Sequence, residues 1–334
     1  MTHVLNDPTT FKIETMEGMI LAYPHILRRV PDAFGVMTAD APRPGKVSVL
    51  IGGGSGHYPA FAGLVGPGFA TGAVIGDIFT SPSAEQVYRC TKALDGGAGV
   101  LYSYGNYSGD VMNFGMAAAR AEAEGIAVRT VLVTDDVASA PPERAADRRG
   151  IAADFCVFKV AGACADEGRS IDEVAGMAER ANLRSRTLGV GFQGCTVPGA
   201  DSPLFTVAPD RMELGLGLHG EPGVQTVARV KAAELARLLV EPLLAESPDG
   251  ADGRVVVLLN GLGSTKGEEL FVLYREIKPL LDRSGLRVHD CEVGELITSL
   301  DMAGCSLTLF WVDDELAALY DTPSTTAGYR RNAR

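Results

Sequence analysis

Two histidines in glycine-rich settings carry the chemistry that this sequence offers. His57 closes the run Gly52-Gly-Gly-Ser-Gly-His, and His219 sits in Leu216-Gly-Leu-His-Gly-Glu-Pro-Gly223. The chain has five histidines in 334 residues, so two in such settings stand out. Glycine neighbours remove the side chains that would crowd an imidazole, leaving it open to act as a base or to attack a carbonyl carbon. Two such settings suggest one binding pocket, and for each a plain turn residue is the competing reading. Glu221, two residues beyond His219, either orients the ring or finishes the turn.

Three further features bear on the site. Gly52–Gly56 could form an anion nest ahead of a helix, but no Lys-Ser/Thr follows, and His57-Tyr58-Pro59 spoils the dinucleotide fingerprint. Asp110, in Asn106-Tyr-Ser-Gly-Asp-Val-Met-Asn113, falls where a helix would begin, so it is either an N-cap or a carboxylate partner for a histidine. Asp135-Asp136 resembles a metal pair but has no companion ligand at helical spacing, and a solvated turn is the expected reading.

The elements that must position these residues read as α/β. Val47–Ile51 is a short β-branched run ending at three glycines, which predicts a buried strand passing into a loop with His57 at its carboxyl end. Strands are predicted at 100–104, 127–133 and 154–160, and helices at 111–125 and 171–181. This alternation predicts a largely parallel sheet, with His57, the 104–110 loop and the 134–136 loop on the carboxyl rim where such sheets place ligands. Beyond Arg186 the texture changes, with a helix expected at 224–244 and a strand at 254–259. The expected organisation is an N-terminal lobe over 1–185 and a second α/β lobe over 186–334.

Composition narrows the class. With 46% hydrophobic and 22% charged residues the chain is that of an ordinary globular protein, and its 40 glycines show no collagen-like period. A formal charge of −12 argues against a phosphate-tracking nucleic-acid surface. The six cysteines are scattered without metal-ligand spacing, which predicts reduced, mostly buried thiols. The N-terminus lacks signal-peptide blocks and no apolar run approaches the roughly 18 residues of a membrane span, so no membrane association and a cytoplasmic location are expected.

Longer motifs then converge. The chain resembles the substrate-binding K subunit of the dihydroxyacetone kinase family over nearly its full length. The resemblance rests on Gly52–His57, Ile75-Gly-Asp-Ile-Phe-Thr-Ser-Pro-Ser83, Asn106–Phe114, Arg148-Arg-Gly-Ile-Ala152, Met212–Gly223, Asn260-Gly-Leu-Gly263 and Ser306-Leu-Thr-Leu309. It implies a two-lobed, DhaK-like fold. It also implies a reversible hemiaminal between His219 and the substrate ketone, with His57 as base and Asp110 bonded to the reacting hydroxyl or the imidazole. Gly54, Ser55 and Gly56 would contact substrate oxygens. No cofactor is expected on this chain: Mg-ATP would sit on a partner L-type subunit, or a phosphohistidine protein would be the donor. A homodimer is implied as well.

Two departures lie beside the implied site. The common pattern has Glu where this chain has Tyr58 and Lys where it has Gly105, next to Asn106. Loss of the long cation opens volume for a ketose one carbon longer. Gly56–Phe61, Tyr104–Tyr107 and Thr265–Leu270 look like the branch acting on tetruloses such as erythrulose, with dihydroxyacetone second. A ketose-sensing co-regulator that binds a transcription factor is the alternative, and an unrelated sugar-binding protein a more distant one.

Overall fold

The apolar run at Val47 does become a buried strand, and it sits at the centre of the first of two six-stranded sheets. In this computed structural model, which describes residues 4–333, packing divides the chain into two compact units. Unit one comprises residues up to Val133, Asp154–Ala181 and the segment from Ala318; unit two comprises Thr134–Ala153 and Asn182–Ala317. Residues 1–3 and 334, which fall at the ends of the two expected lobes, lie outside the described residues. The chain passes between units at four points, and the boundary expected near residue 185 falls close to one of them, Ala181–Asn182.

In chain order the elements up to residue 183 are α1 (Phe11–Ala22), β1 (Leu27–Arg29), β2 (Gly35–Thr38), β3 (Ser48–Ser55), β4 (Gly72–Ile78), α2 (Ala84–Leu94), β5 (Val100–Gly105), α3 (Ser108–Ala123), β6 (Val128–Val133), α4 (Asp154–Asp166) and α5 (Ile171–Leu183). The first sheet has the order β1-β2-β4-β3-β5-β6. Its four strands β4-β3-β5-β6 are parallel, as expected, and β2 and β1 join antiparallel at one edge. Leu50, Val74, Tyr102 and Tyr104 build one core with Val87 of α2 and Phe114 of α3. The alternate residues Val49, Ile51 and Leu101, also fully buried, turn to the other face.

Residues 154–160, expected as a strand, form the first half of α4. Every residue from Asp154 to Ala165 is buried. A helix buried all round loses its polar stripe and reads as a buried strand, because periodicity alone does not separate the two. α4 packs on β3 and β5. It runs so close to the 66–70 loop that a Cβ at Gly162 would lie 1.9 Å from the Phe69 carbonyl oxygen.

The end of the chain completes this unit. Tyr329 stands edge-on to Phe155 at 4.9 Å and to Phe69 at 6.0 Å. Lys159 of α4, fully buried, donates to the Leu319 carbonyl at 3.2 Å.

The remaining elements are β7 (Ser185–Gln193), β8 (Arg211–Leu214), β9 (Gln225–Ala228), α6 (Ala232–Ala245), β10 (Arg254–Gly261), α7 (Gly267–Arg283), β11 (Arg287–Gly294), β12 (Ala303–Trp311), α8 (Asp314–Asp321) and the short pair β13 (Ser324–Thr325) and β14 (Arg330–Arg331). The second sheet has the order β11-β10-β12-β7-β8-β9, and only β10 and β11 are parallel. The helix expected from 224 starts later. Gln225–Ala228 pairs with β8, placing Met212 opposite Val227, and the helical stripe Leu235, Leu239, Leu243 begins beyond Lys231. α6 and α7 bury Leu235, Leu239, Leu273 and Ile277 against Val257, Leu259 and Leu307 of the sheet, so this unit too is α/β.

Candidate functional site

The glycines before His57 are strand rather than loop. β3 runs through Gly52–Gly54 to Ser55, in parallel register with Val74–Gly76 of β4. A Cβ would lie 2.6 Å from Val74 Cγ1 at Gly52, 2.6 Å from Phe61 Cε2 at Gly53 and 2.6 Å from the Thr80 nitrogen at Gly54. The glycines therefore let neighbouring protein press onto the strand, and an anion nest is not what they form. Gly56, at φ 103°, turns the chain out of the strand.

His57 follows that turn and is 3% exposed. Its ring stacks on Phe79 at 5.0 Å and stands edge-on to Phe61 at 6.5 Å, which fixes its plane. Ser55 Oγ is buried and makes no hydrogen bond among the described residues. A buried hydroxyl in that state is costly in a finished structure and suits a ligand oxygen. Tyr58 is half exposed, and its ring lies against Gly63.

Asp110 is the third residue of α3, whose N-cap is Tyr107, so the N-cap reading of Asp110 does not hold. It is buried in the first turn, where the helix dipole favours a carboxylate. Burial first, and the Asp110 charge second, push the Tyr104 phenol well above its ordinary range. Gly105 ends β5, and the Asn106 N–H donates to the Val133 carbonyl at 3.0 Å. Because β3 and β5 are adjacent and parallel, Ser55–His57 and Gly105–Asp110 follow the carboxyl ends of neighbouring strands on the same side of one sheet.

His219 belongs to the other unit, in the turn after β8. Glu221 holds it twice: Oε2 accepts from the His219 backbone N–H at 2.9 Å, and Oε1 lies 2.9 Å from Nδ1. Burial raises the Glu221 pKa, but the hydrogen bonds and charge of His219 outweigh it and bring the carboxyl to about 2. An ionised Glu221 accepts the Nδ1 proton, which in the neutral ring places the lone pair on Nε2. Ser299 Oγ donates to the Leu218 carbonyl and pins the other side of the turn. The glycines here also serve protein packing. A Cβ at Gly217 would lie 2.1 Å from Glu221 Oε2, and one at Gly220 would lie 2.6 Å from the Phe205 ring.

Asp135 and Asp136 are not a solvated turn. Both are buried. Asp135 accepts from the N–H groups of Ile151 at 2.7 Å and Ala153 at 2.9 Å. Asp136 Oδ2 meets Arg149 at 2.8 and 3.0 Å. Burial pushes Asp136 up to about 6 even though Arg149 opposes it. Arg149 in turn reaches Glu221 Oε2 at 3.9 Å and the Gly215 carbonyl at 3.3 Å.

From sequence, Arg149 appears only within the matching motif Arg148–Ala152, and Asp136 only as half of a carboxylate pair expected to lie in a solvated turn. Asn260 was likewise passed over: its amide donates to the Ile297 carbonyl and Ser306 Oγ, while its oxygen accepts from the Leu296 and Ile297 N–H groups.

The six cysteines are free, five of them buried, as expected. Among the described residues no group of three or more His, Cys, Asp or Glu is placed to hold a metal ion, and no helix is long and apolar enough to cross a membrane.

Comparison with known proteins places these features in context. Residues 17–328 match the Dak1 domain. The chain is 53% identical over its whole length to the D-erythrulose kinase of Mycolicibacterium smegmatis and 49% identical to the L-erythrulose kinase of Pectobacterium atrosepticum, covering 57% of each. It is 42% identical over 94% of its length to the dihydroxyacetone-binding subunit DhaK of a PTS-dependent dihydroxyacetone kinase of Listeria innocua, covering 95% of that protein. The chain thus spans little more than half of the erythrulose kinases and nearly all of the DhaK subunit. Among solved structures, the dihydroxyacetone kinase of C. freundii superposes with a TM-score of 0.91 at 34% identity, over 99% of this chain and 60% of that one. The dihydroxyacetone kinase operon co-activator Dha-DhaQ superposes with a TM-score of 0.89 at 33% identity, over 95% of this chain and 98% of that one. The fold is therefore that of DhaK.

Proposed function

This chain belongs to the Dak1 domain family, and within it we propose that the chain is the ketose-binding part of a kinase acting on a short ketose, erythrulose first and dihydroxyacetone second. The observation that carries the reading is the His219–Glu221 pair, which leaves Nε2 as the nucleophilic nitrogen beside an ionised carboxylate. Nε2 adds to the ketone carbon, the carbonyl π pair moves to oxygen, and that oxygen takes a proton from water. The positive charge left on the ring faces Glu221, which stabilises it. The attacking Nε2 carries no hydrogen to lose, so the adduct cannot dehydrate to a neutral imine, stops at the hemiaminal and keeps the whole mass of the ketose. A bound hemiaminal removes much of the entropic barrier to the later transfer, and the need for an open carbonyl selects ketoses too short to close a stable ring.

In this reading His57, backed by Asp110, removes the proton from the hydroxyl to be phosphorylated, and Gly54, Ser55 and Gly56 meet substrate oxygens. The buried Ser55 hydroxyl supports that role. Gly105, Asn106 and Tyr58 border the hydroxyl end, where the glycine admits a fourth carbon. The kinships to D- and L-erythrulose kinases support the tetrulose and leave its hand to experiment.

In this reading the phosphoryl donor binds outside these residues, and the packing of the glycine run into a strand supports that. Mg-ATP on an L-type ATP-binding part, or a phosphohistidine protein, is the proposed donor. The C. freundii kinase, of which this chain covers 61%, was solved with AMP-PNP and Mg2+. A homodimer in the cytoplasm completes the reading. The co-activator likeness favours a second reading, a ketose-sensing co-regulator; retention of His57 and Asp110 favours the kinase, because a sensor has no need of a base.

Native mass spectrometry of the wild type and His219→Ala with equimolar D-erythrulose, L-erythrulose and dihydroxyacetone tests the proposal. A His219-dependent gain of one intact tetrulose mass is the expected result. A dihydroxyacetone preference overturns the tetrulose assignment, and no adduct overturns the covalent one. Phosphorylation of ketose on adding an L-type subunit with Mg-ATP, or a phosphohistidine donor, separates the kinase from the sensor.

A further inference from the structure

The turn that carries His219 is braced from behind. Glu221 Oε2, which accepts the His219 backbone N–H, lies 3.9 Å from Arg149 Nη1. Arg149 is itself held by Asp136, through Nη2 at 2.8 Å and Nε at 3.0 Å, and by the Gly215 carbonyl at 3.3 Å. Asp136 is anchored in turn: its Oδ1 accepts from the Ala138 N–H at 3.1 Å, and its own N–H donates to the Arg149 carbonyl at 3.1 Å. Gly217 supplies the space in which the brace meets the carboxylate, since a Cβ there would lie 2.1 Å from Glu221 Oε2 and 2.7 Å from Arg149 Nη1. All these residues belong to one compact unit.

We propose that Arg149, held in place by Asp136, is a positioning residue that fixes the Glu221 carboxylate and thereby sets the tautomer and orientation of His219. The Glu221 side chain has three rotatable bonds, and without the guanidinium only the His219 backbone N–H would restrain Oε2, so Oε1 would leave Nδ1 more often and the ring would populate both tautomers. The guanidinium charge lies 3.9 Å from Oε2, the oxygen that faces away from the imidazole. Glu221 thus keeps Oε1 for Nδ1 and Oε2 for the backbone. Burial raises the Asp136 pKa to about 6, and the Arg149 charge beside it opposes that rise. The inference rests on the reading of His219 as the covalent anchor, but its physical content is the tautomer, which is measurable without substrate.

The experiment uses the full chain labelled with 15N-histidine. The wild type, Arg149→Met, Arg149→Lys and Asp136→Asn are compared by ring-nitrogen shifts against pH and by the erythrulose adduct constant, with thermal melting to establish folding. Expected are an Nδ1-protonated His219 in the wild type, loss of that signature in Arg149→Met and Asp136→Asn with an adduct about tenfold weaker, as when outer partners of metal-bound histidines are removed, and partial recovery in Arg149→Lys. Folded variants with unchanged His219 shifts would overturn the proposal. If Arg149→Met does not fold, Arg149→Lys and Asp136→Asn decide by the same readout. A wild type that forms no adduct while its shifts respond to the variants would sink the covalent reading and leave the brace standing.

Discussion

Arg148 grips Glu246 through two parallel hydrogen bonds, Nη1 to Oε2 at 2.7 Å and Nη2 to Oε1 at 2.9 Å. The guanidinium is 1% exposed, and its Nε also donates to the Ala140 carbonyl at 2.8 Å. Arg186 comes within 3.5 Å of the same Glu246. Burial first, then the charge of Arg148, lower the Arg186 pKa, so Glu246 is the group that makes two neighbouring cations tolerable. Replacing Glu246 by Gln removes the carboxylate that both arginines share and is expected to cost about 3 kcal/mol. Arg148→Met removes one cation with its bulk retained and costs less. Urea denaturation of the two variants checks the order, and an equal or smaller loss for Glu246→Gln would contradict it.

The division of labour between the two glycine-rich sites has a kinetic signature. If His219 alone makes the covalent bond, His57→Ala and Asp110→Asn keep the erythrulose adduct within a few-fold of wild type. Phosphoryl transfer in the presence of the donor then falls by about a hundred-fold or more, the usual worth of a positioned base. Adduct mass and turnover are measured on the same samples, and loss of the adduct in either variant would show that both residues bind rather than activate.

Gly105 is the proposed source of room for the fourth carbon. Gly105→Lys restores the cation common in the family and is expected to shift the adduct competition from erythrulose toward dihydroxyacetone. A folded Gly105→Lys protein with an undiminished tetrulose preference would remove this residue from the specificity argument.

Lys159 gives a prediction in pH. Burial, with Arg331 second, lowers its pKa from 10.5 to about 7, against the opposing pull of Asp166 and Asp321. For a base with a depressed folded-state pKa the charged form is the penalised one. The penalty is full below about pH 7 and vanishes above about 10.5, so wild-type stability from this group rises with pH across that window. Lys159→Met removes the penalty together with the bond to Leu319. Its melting temperature should exceed wild type by a few degrees at pH 6.5, with the gain shrinking toward pH 9.5. A gain that grows with pH would reverse the assignment.

What the sequence yielded followed local pattern. β5, β6, α3 and α5 lie where alternation and helical spacing put them, and the glycine settings picked out His57 and His219. The misread elements depend on partners distant in the chain. α4 lost its polar face to burial on all sides, and Asp135 and Asp136 are satisfied by Ile151, Ala153 and Arg149, 13 to 18 residues further on. The glycines of β3 read as access for a ligand, whereas Val74, Phe61 and Thr80 take that space. No local signal could reveal the antiparallel order of the second sheet, which is set by long-range pairing. Arg149 was visible only as part of a motif, and only the fold gives it Glu221 and Asp136 as neighbours.

Because unit one is completed by residues beyond Ala318, its order of assembly during synthesis is constrained. A chain still on the ribosome with Ala181 just emerged has all six strands of the first sheet and α4, but lacks the Tyr329 ring that stands against Phe69 and Phe155. It also lacks the Leu319 carbonyl that receives the Lys159 ammonium. The earliest-made half of the protein therefore waits, with an unfilled aromatic cluster and an unpartnered lysine, through the translation of more than a hundred residues of the other unit. A piece ending at residue 185 would lack these contacts, so α4 is expected to gain its full protection from protease only once the released chain has folded.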